Sequence, residues 1–301
     1  MKALKFYARF LPSFTAIGFV ARGLSRRPVR ADFSGQTWMV TGATGGIGRA
    51  VALAAAAAGA HVIAVGRRPA LLEALAASAT GTITPVAADL SLVARNRELA
   101  ERHPEIDVLV NNVGILDTGY HRTEEGFSRM YATNLLGHFA LTEGLLARGR
   151  LRRGTVINVT SGGAYNAPLN LPGLDAREAD FNGFAAYASQ KRAQIALADH
   201  WNAAVPGLRA YTMHPGWVRT DGVRSALPWM DRWIGAVLRT TAQGADTILW
   251  LAATQPPPQA DVIWFDRAPR PAHMFATTRE AKTTIPALAA RLQHDMEGVT
   301  G

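Results

Sequence analysis

The segment TGATGGIGRA, Thr41 to Ala50, follows the apolar run TWMVTG (37–42) and opens an alanine-rich helical stretch. Its glycines fall at 42, 45, 46 and 48. A strand that ends in so tight a turn and passes directly into a helix has the form of the first βα unit of a dinucleotide-binding fold. Such a turn needs residues without Cβ, and a pyrophosphate must approach the backbone closely. The helix start adds unpaired N–H groups and the positive end of its dipole. No Gly-Lys-Ser/Thr closes the turn, so it is not a P-loop. An ordinary glycine turn is the alternative, and the strand-before, helix-after context argues against it. Thr41, Gly42, Thr44, Gly45, Gly46, Ile47 and Gly48 are the candidate cofactor contacts here.

The rest of the chain continues the alternation. Further strand candidates are HVIAVGR (61–67), TITPVAAD (82–89), DVLVNNVG (107–114), TVINVTS (155–161), LRAYTMHPG (208–216) and DVIWFD (261–266). Most are near-continuous apolar runs, as expected for parallel strands buried on both faces. Ala- and Leu-rich helical stretches separate them. The pattern predicts an α/β, doubly wound Rossmann fold: one domain, about seven parallel strands, helices on both faces. ATQPPPQA (253–260) reads as a rigid connector into the last strand, not a boundary. The expected organisation is an N-terminal arm over 1–35, the Rossmann domain over 36–270 with a substrate lid at about 217–240, and a C-terminal helical extension over 271–301.

The arm is set apart by charge. The chain of 301 residues carries a formal net charge of +9. Lys2, Lys5, Arg9, Arg22, Arg26, Arg27 and Arg30 lie in the first 30 residues without an acid; removing them leaves 25 bases against 23 acids. Nucleic-acid binding by the whole domain is therefore not expected, whereas a local anionic surface such as a membrane suits the arm. FLPSFTAIGFVA (10–21) is apolar but too short to span a bilayer, which takes ~20 residues. No A-x-A-like cleavage site follows it. A helix packed on its own domain, an interfacial helix and a targeting segment are the three readings. The expected location is cytoplasmic, with peripheral membrane contact through residues 1–30 as the variant. There is no cysteine, which excludes disulfides, thiolate metal sites and a cysteine nucleophile. The eight histidines show no i, i+3 or i, i+4 pair, so no metal site is expected.

The end of the second strand selects the cofactor. An acid there would bond the adenosine ribose, whereas a cation would receive a 2′-phosphate. The strand ends AVGRRP, with Arg67 and Arg68 and no acid. Arginine suits forked bonds to phosphate, which places NADP(H) ahead of NAD(H). The alternative is two solvated arginines at a helix start.

Tyr187 and Lys191, in AAYASQKRAQ (185–194), stand at i, i+4 on a predicted helix. That spacing alone occurs by chance on any helix surface. Taken with the rest, residues 36–266 resemble the short-chain dehydrogenase/reductase family. Its T-G-x-x-x-G-x-G pattern matches Thr41, Gly42, Gly46 and Gly48. Its adenine-contacting Asp matches Asp89, followed by Leu90. Its N-N-A-G motif appears as NNVG (111–114), with Asn112, Gly114 and Val113 in place of the usual Ala. Its central-helix Asn matches Asn134, its Ser matches Ser161, its Tyr-x-x-x-Lys matches Tyr187 and Lys191, and its Pro-Gly matches Pro215 and Gly216, with Val218 and Thr220 beyond. Each match is weak alone; seven in order are specific. Within the family, VTSGGAYNAPLN, HPGWVRTDGVRSALP, QGADTILWLA and WFDRAPRPAHMF look like the dehydrogenase/reductase SDR family member 12 group.

The resemblance implies an oxidoreductase interconverting a carbonyl and an alcohol by hydride transfer, with Tyr187 as general acid/base. An ammonium one turn away lowers the phenol's pKa, and the i, i+4 spacing puts Lys191 on the same helical face. By resemblance, Lys191 also holds the nicotinamide ribose, Ser161 orients the carbonyl, Asn134 fixes a water leading to Lys191, and Thr220 holds the carboxamide. Tyr165 has no Lys at +4 and reads, with Gly163, as pocket wall; His214 reads as structural. Asp175, Glu178 and Asp180 read as a solvated acidic loop.

Trp217, Trp229, Met230, Trp233, Ile234, Val237 and Leu238 make the region after the sixth strand strongly apolar, at helical spacing. In this family that region covers the substrate, which points to a small hydrophobic carbonyl or alcohol, with Trp217, Trp229 and Trp233 in the pocket. Core packing, a homo-oligomer contact and a membrane-facing surface are the alternatives. Two other functions compete: a non-catalytic NADP(H)-binding redox sensor and a membrane-associated scaffold.

Overall fold

A computed structural model describes residues 10–103, 105–151, 153–226 and 228–299. Lys2, Lys5 and Arg9 of the basic arm lie outside the described residues.

All seven predicted strands form, each trimmed by one or more residues at its ends: β1 Thr37–Thr41, β2 His61–Gly66, β3 Ile83–Ala87, β4 Val108–Asn111, β5 Thr155–Val159, β6 Arg209–Met213 and β7 Val262–Phe265. They lie in one sheet with the order β3-β2-β1-β4-β5-β6-β7, every neighbouring pair parallel. Strand order reverses between β1 and β4. Their carboxyl ends therefore part to leave the crevice where such sheets bind ligands. β4 and β5 are buried along their whole length, which is why their sequences read as unbroken apolar runs.

An eighth strand, β8 (Ala268–Pro271), pairs antiparallel with β7 and was not expected. It carries two prolines, and proline is tolerated at a sheet edge because its missing N–H can face outward. Asp266 (φ 52°) and Arg267 (φ 59°) make the two-residue turn. Positive φ at both positions matches the strand twist in such hairpins but usually selects Gly or Asn. Here ion pairs hold it: Asp266 bonds Arg239, and Arg267 bonds Asp246 through Nε at 2.8 Å and Nη2 at 2.5 Å.

Helices cover both faces: α1 Ala16–Ala21, α2 Gly46–Ala57, α3 Pro69–Ala77, α4 Val93–Arg102, a composite α5, α6 Gly183–Ala204, α7 Asp221–Ala226, α8 Pro228–Ile234, α9 Thr241–Thr254 and α10 Ile285–Glu297. Helix α5 runs through Arg129–Tyr131, a π-turn at Ala132–Leu136, and Gly137–Ala147. The starts follow local chemistry. Asn182 accepts from the Ala185 N–H at the head of α6, Thr240 and Gln243 form a reciprocal capping box on α9, and Glu125 accepts from the Val93 and Ala94 N–H groups of α4.

One apolar core lies on each sheet face. Trp201, Phe139, Leu145 and Leu109 belong to one, and Trp38, Val51, Leu72 and Trp264 to the other. Leu288 and Leu292 of α10 enter the first core, and Tyr131 donates to Asp295 at 2.7 Å. The N-terminal segment packs on the domain: Phe10 and Phe14 join Tyr165, Ile195, Ile263 and Phe265 in a third cluster. Among the described residues no helix is long and apolar enough to cross a membrane.

Candidate active site

The glycine turn and the NNVG segment are built against each other. Thr41 donates its hydroxyl to the Val110 carbonyl at 3.0 Å and accepts from the N–H groups of Asn112 and Val113 at 2.9 and 3.1 Å. Asn112 donates its side-chain amide to the Thr41 carbonyl at 2.8 Å. Gly42 has φ 66°, and a Cβ on Gly48 would stand 2.4 Å from the Gly42 carbonyl oxygen. Only glycine closes this turn. Gly45 differs: its backbone is extended, and a Cβ there would meet nothing within 4 Å. Its bareness serves no packing inside the protein. That is what a cradle for a close-lying phosphate looks like, directly before the first turn of α2.

The loop after β6 reaches the same place. A Cβ on Gly46 would touch the Thr220 methyl at 3.2 Å, Val218 is buried, and Ile47 packs beside it near Gly244. Gly216 has φ 79°, its N–H donates to His214 Nδ1 at 2.8 Å, and the Pro215 carbonyl accepts from Arg239. Thr44 lies against Gly66 at the end of β2. Beyond β2 and β3 a cavity of about 490 Å³ is lined by Arg67, Ala88, Asp89, Arg95, Arg102 and His103. Asp89 accepts from the Ser91 N–H and hydroxyl, and Leu90 is buried under Gly137. Arg67 and Arg68 are exposed, and neither forms an ion pair among the described residues.

Four side chains converge beyond the glycine turn. Ser161 ends the β5 segment and caps a short turn, accepting from the Gly163 N–H at 3.3 Å. The Tyr187 hydroxyl faces the Ser161 side chain, and the Gly163 backbone lies against the tyrosine ring. Lys191 Nζ stands 5.6 Å from the centre of that ring and donates to the Val159 carbonyl at 2.9 Å. Asn134 sits in the π-turn of α5; it accepts from the Ile115 N–H and donates to the Ile115 carbonyl and to Gln190. Such turns inside helices recur at functional sites. A Cβ on Gly114 would come within 3.3 Å of Asn134 Oδ1 and 3.4 Å of Lys191 Nζ, so Gly114 lies close to both side chains.

The electrostatics differ in one respect from expectation. Burial pushes the Tyr187 hydroxyl above its ordinary value, and the Ser161 hydrogen bond acts in the opposite direction. Tyr187 as a residue is partly exposed, so water tempers that push. Burial lowers Lys191 to about 7. Lysine is thus itself close to losing its charge, and its pull on the phenol is limited by its own desolvation.

Not every candidate meets at the site. Tyr165 is fully buried in the cluster around Phe14 and Phe265, with its hydroxyl pushed up to about 12 by burial. It is core, not pocket wall. His214 is held beside Phe14 with ring centres 4.7 Å apart, as a structural residue would be. On α8 the apolar stripe splits: Met230 is buried, whereas Trp229 and Trp233 are 49% and 77% exposed. Trp217 packs edge-on against Phe14 at 5.7 Å. Asp175 is not part of a solvated loop; it is half-buried and accepts from the Ser128 N–H, while Glu178 and Asp180 are exposed as expected.

Two features escaped the sequence. Phe14 stands next to Gly162 and brings the N-terminal segment to the back of the site. Gln190 and Gln194 tie Asn134 and Lys191 into one buried network. Their position inside the Tyr-x-x-x-Lys helix was the only available signal.

The profile of the short chain dehydrogenase family matches residues 36–231. Over 288 residues the chain is 34% identical to dehydrogenase/reductase SDR family member 12 of Bos taurus, covering 91% of this chain and 90% of that protein. It is 30% identical over 250 residues to retinol dehydrogenase 14 of Mus musculus, covering 73% and 74%. A solved structure of an uncharacterized protein from Mycobacterium paratuberculosis superposes with a TM-score of 0.72 at 28% identity, covering 89% of this chain and 95% of that one.

Proposed function

The chain belongs to the short-chain dehydrogenase family of oxidoreductases, and from that premise we propose that it interconverts a hydrophobic carbonyl and its alcohol with NADP(H). The single observation that carries this reading is the convergence of Ser161, Tyr187, Lys191 and Asn134 beside a glycine cradle open at Gly45. Thr41 to Gly48, Asn112 to Gly114 and Pro215 to Thr220 would hold the cofactor, with Asp89 and Leu90 at the adenine. Arg67 and Arg68, exposed and without ion-pair partners among the described residues, suit its 2′-phosphate. A bound NADP(H) supplies or takes the hydride at the substrate carbon.

The chain's own residues handle the proton. In reduction, Ser161 orients the substrate oxygen and the Tyr187 hydroxyl gives it a proton as negative charge develops. The phenolate left behind is stabilised by Lys191 as an ammonium and by the Ser161 hydroxyl. In oxidation Tyr187 starts as the base. Likeness to a retinol dehydrogenase and the apolar residues after β6 support a hydrophobic substrate. The test is loss of NADPH absorbance, with NADH run separately, across a panel of hydrophobic aldehydes and ketones, alongside Tyr187→Phe. Turnover lost in the variant while NADPH still binds supports the enzyme. Tight NADPH binding with no turnover on any substrate favours the redox sensor.

A second reading concerns location. Ile17 and Val20 of α1, with Trp229 and Trp233 of α8, are exposed, and Arg26, Arg27 and Arg30 follow α1 directly. Exposed tryptophan beside arginine suits the headgroup layer of an anionic membrane. The check is co-sedimentation with phosphatidylserine vesicles, comparing the full chain with Ile17→Asp/Trp233→Ala; equal sedimentation would reject this reading. Deleting residues 1–30 is a poorer test, because Phe14 is core.

A further inference from the structure

His138, Gln194 and Lys191 form a chain of hydrogen bonds whose direction can be worked out. His138 Nε2 lies 2.9 Å from the Val113 carbonyl oxygen. A carbonyl only accepts, so Nε2 carries the proton. The ring is fully enclosed and neutral, since burial lowers it to about 3. Nδ1 is therefore a bare acceptor. Gln194 Nε2 stands 3.1 Å from that Nδ1 and 2.8 Å from the Asn134 carbonyl oxygen, a second acceptor. Only the amide nitrogen, with two hydrogens, satisfies both. The orientation of Gln194 is thereby imposed, and its oxygen is left to face Lys191 Nζ at 3.4 Å. That is long for a hydrogen bond but close for a charge–dipole contact.

We propose that Gln194 is a positioning residue for the reaction: its amide oxygen, aimed by His138 and Asn134, keeps Lys191 an ammonium beside Tyr187. The proposal rests on the reading of Lys191 as the partner of Tyr187. Lys191 is 3% exposed, and its other acceptor is the Val159 carbonyl. A desolvated ammonium loses its proton unless acceptors replace the water it gave up. With two of its three N–H bonds directed at Val159 and Gln194, the third remains for the Tyr187 side. The titratable groups that face it are Tyr187 on its own helix and His138 on α5; β5 presents a backbone carbonyl.

The chain has four lysines, Lys2, Lys5, Lys191 and Lys282. An NMR titration with ¹³Cε-labelled lysine therefore reads Lys191 directly in the full protein without cofactor. The wild-type Lys191 signal is expected to titrate near 7, well below the ~10.4 of a free lysine side chain. Gln194→Leu removes the acceptor and moves the midpoint down by about one unit. Gln194→Glu keeps the shape, adds charge, and moves it up by about one to three units. A wild-type near-ultraviolet circular dichroism spectrum confirms that each variant is folded. Opposite shifts support the proposal; no shift, or shifts in the same direction as a mere packing change would give, overturn it. Full turnover in Tyr187→Phe alongside opposite Lys191 shifts would sink the catalytic reading and leave the positioning of Lys191 standing.

Discussion

Arg239 and Asp266 meet in a two-pronged ion pair, Nη1 to Oδ1 at 2.6 Å and Nη2 to Oδ2 at 2.9 Å, with both side chains 1% exposed. Arg239 also donates to the carbonyls of Ser13, Phe14 and Thr15, and Arg22 adds a second cation on Asp266. Removing one member strands a buried charge, whereas removing both does not. Asp266→Asn is expected to cost about 3–5 kcal/mol in urea unfolding. The double variant Arg239→Met/Asp266→Asn, which keeps a residue that tolerates the positive φ at 266, should cost less than Asp266→Asn alone. A double variant as unstable as the single one would contradict this account.

The glycines of the first turn should separate by role. Gly48→Ala drives a methyl into the Gly42 carbonyl and should lower the melting temperature, at about 1–3 kcal/mol. Gly45→Ala meets nothing and should melt like wild type. On the proposed reading it should nonetheless bind NADPH roughly tenfold more weakly, about 1.4 kcal/mol, because its methyl would stand where the pyrophosphate is to lie. Unchanged binding in Gly45→Ala by calorimetry would remove the cradle.

On the proposed reading, Arg67 and Arg68 receive the 2′-phosphate of NADP(H). Charge-assisted bonds contribute about 1.5–3 kcal/mol each. Arg67→Ala and Arg68→Ala should each weaken NADPH roughly 10–100-fold and leave NADH within about threefold. An equal loss for both cofactors would mean that these arginines do not contact the 2′-phosphate.

Tyr187→Phe keeps the ring and removes the proton. Turnover is expected to fall about 10²–10⁴-fold, with NADPH affinity preserved. Comparable loss of cofactor binding would point to a folding defect in place of a chemical one.

Two enclosed histidines set an acid limit. Burial lowers His138 and His214 to about 3 from 6.5. Between pH 3 and 6.5 the unfolded chain binds protons that the folded chain refuses, so stability rises with pH through this window and is lost as pH falls. At pH 5 each histidine should cost about 2 kcal/mol relative to pH 7. Comparing urea unfolding at pH 5 and 7 for wild type and His214→Asn checks this; an equal pH slope in both would contradict it.

The parallel sheet was legible because strands such as β4 and β5 are buried on both faces and so carry unbroken apolar runs. β8 was not, since its two prolines read as a breaker and its pairing depends on the edge position. The four converging side chains could be named because each sits at the end of a strand or on a helix that the glycine turn anchors in order. The direction of the apolar stripe after β6 was hidden for a different reason. Helical spacing placed Trp229 and Trp233 together, and they do share a face, but periodicity does not say whether that face looks inward. Tyr165 went the same way: its core is completed by Phe10 and Phe14, which are more than 150 residues distant in the chain. Gln194 was invisible because a glutamine in a helix has no signature; only the groups around it give its amide a direction.

The clamp on the N-terminal segment has a consequence for how the molecule is made. Phe14 and Arg239 are 225 residues apart, and Arg22 and Asp266 are 244 apart. A ribosome adding about 5–20 residues per second releases the phenylalanines roughly 10–50 s before their partners exist. During synthesis Phe10, Phe14 and Phe19 wait uncovered while β1 to β6 are already available to pair. This early segment is among the last to find its place, and its aromatic side chains stay uncovered until β7 has been made.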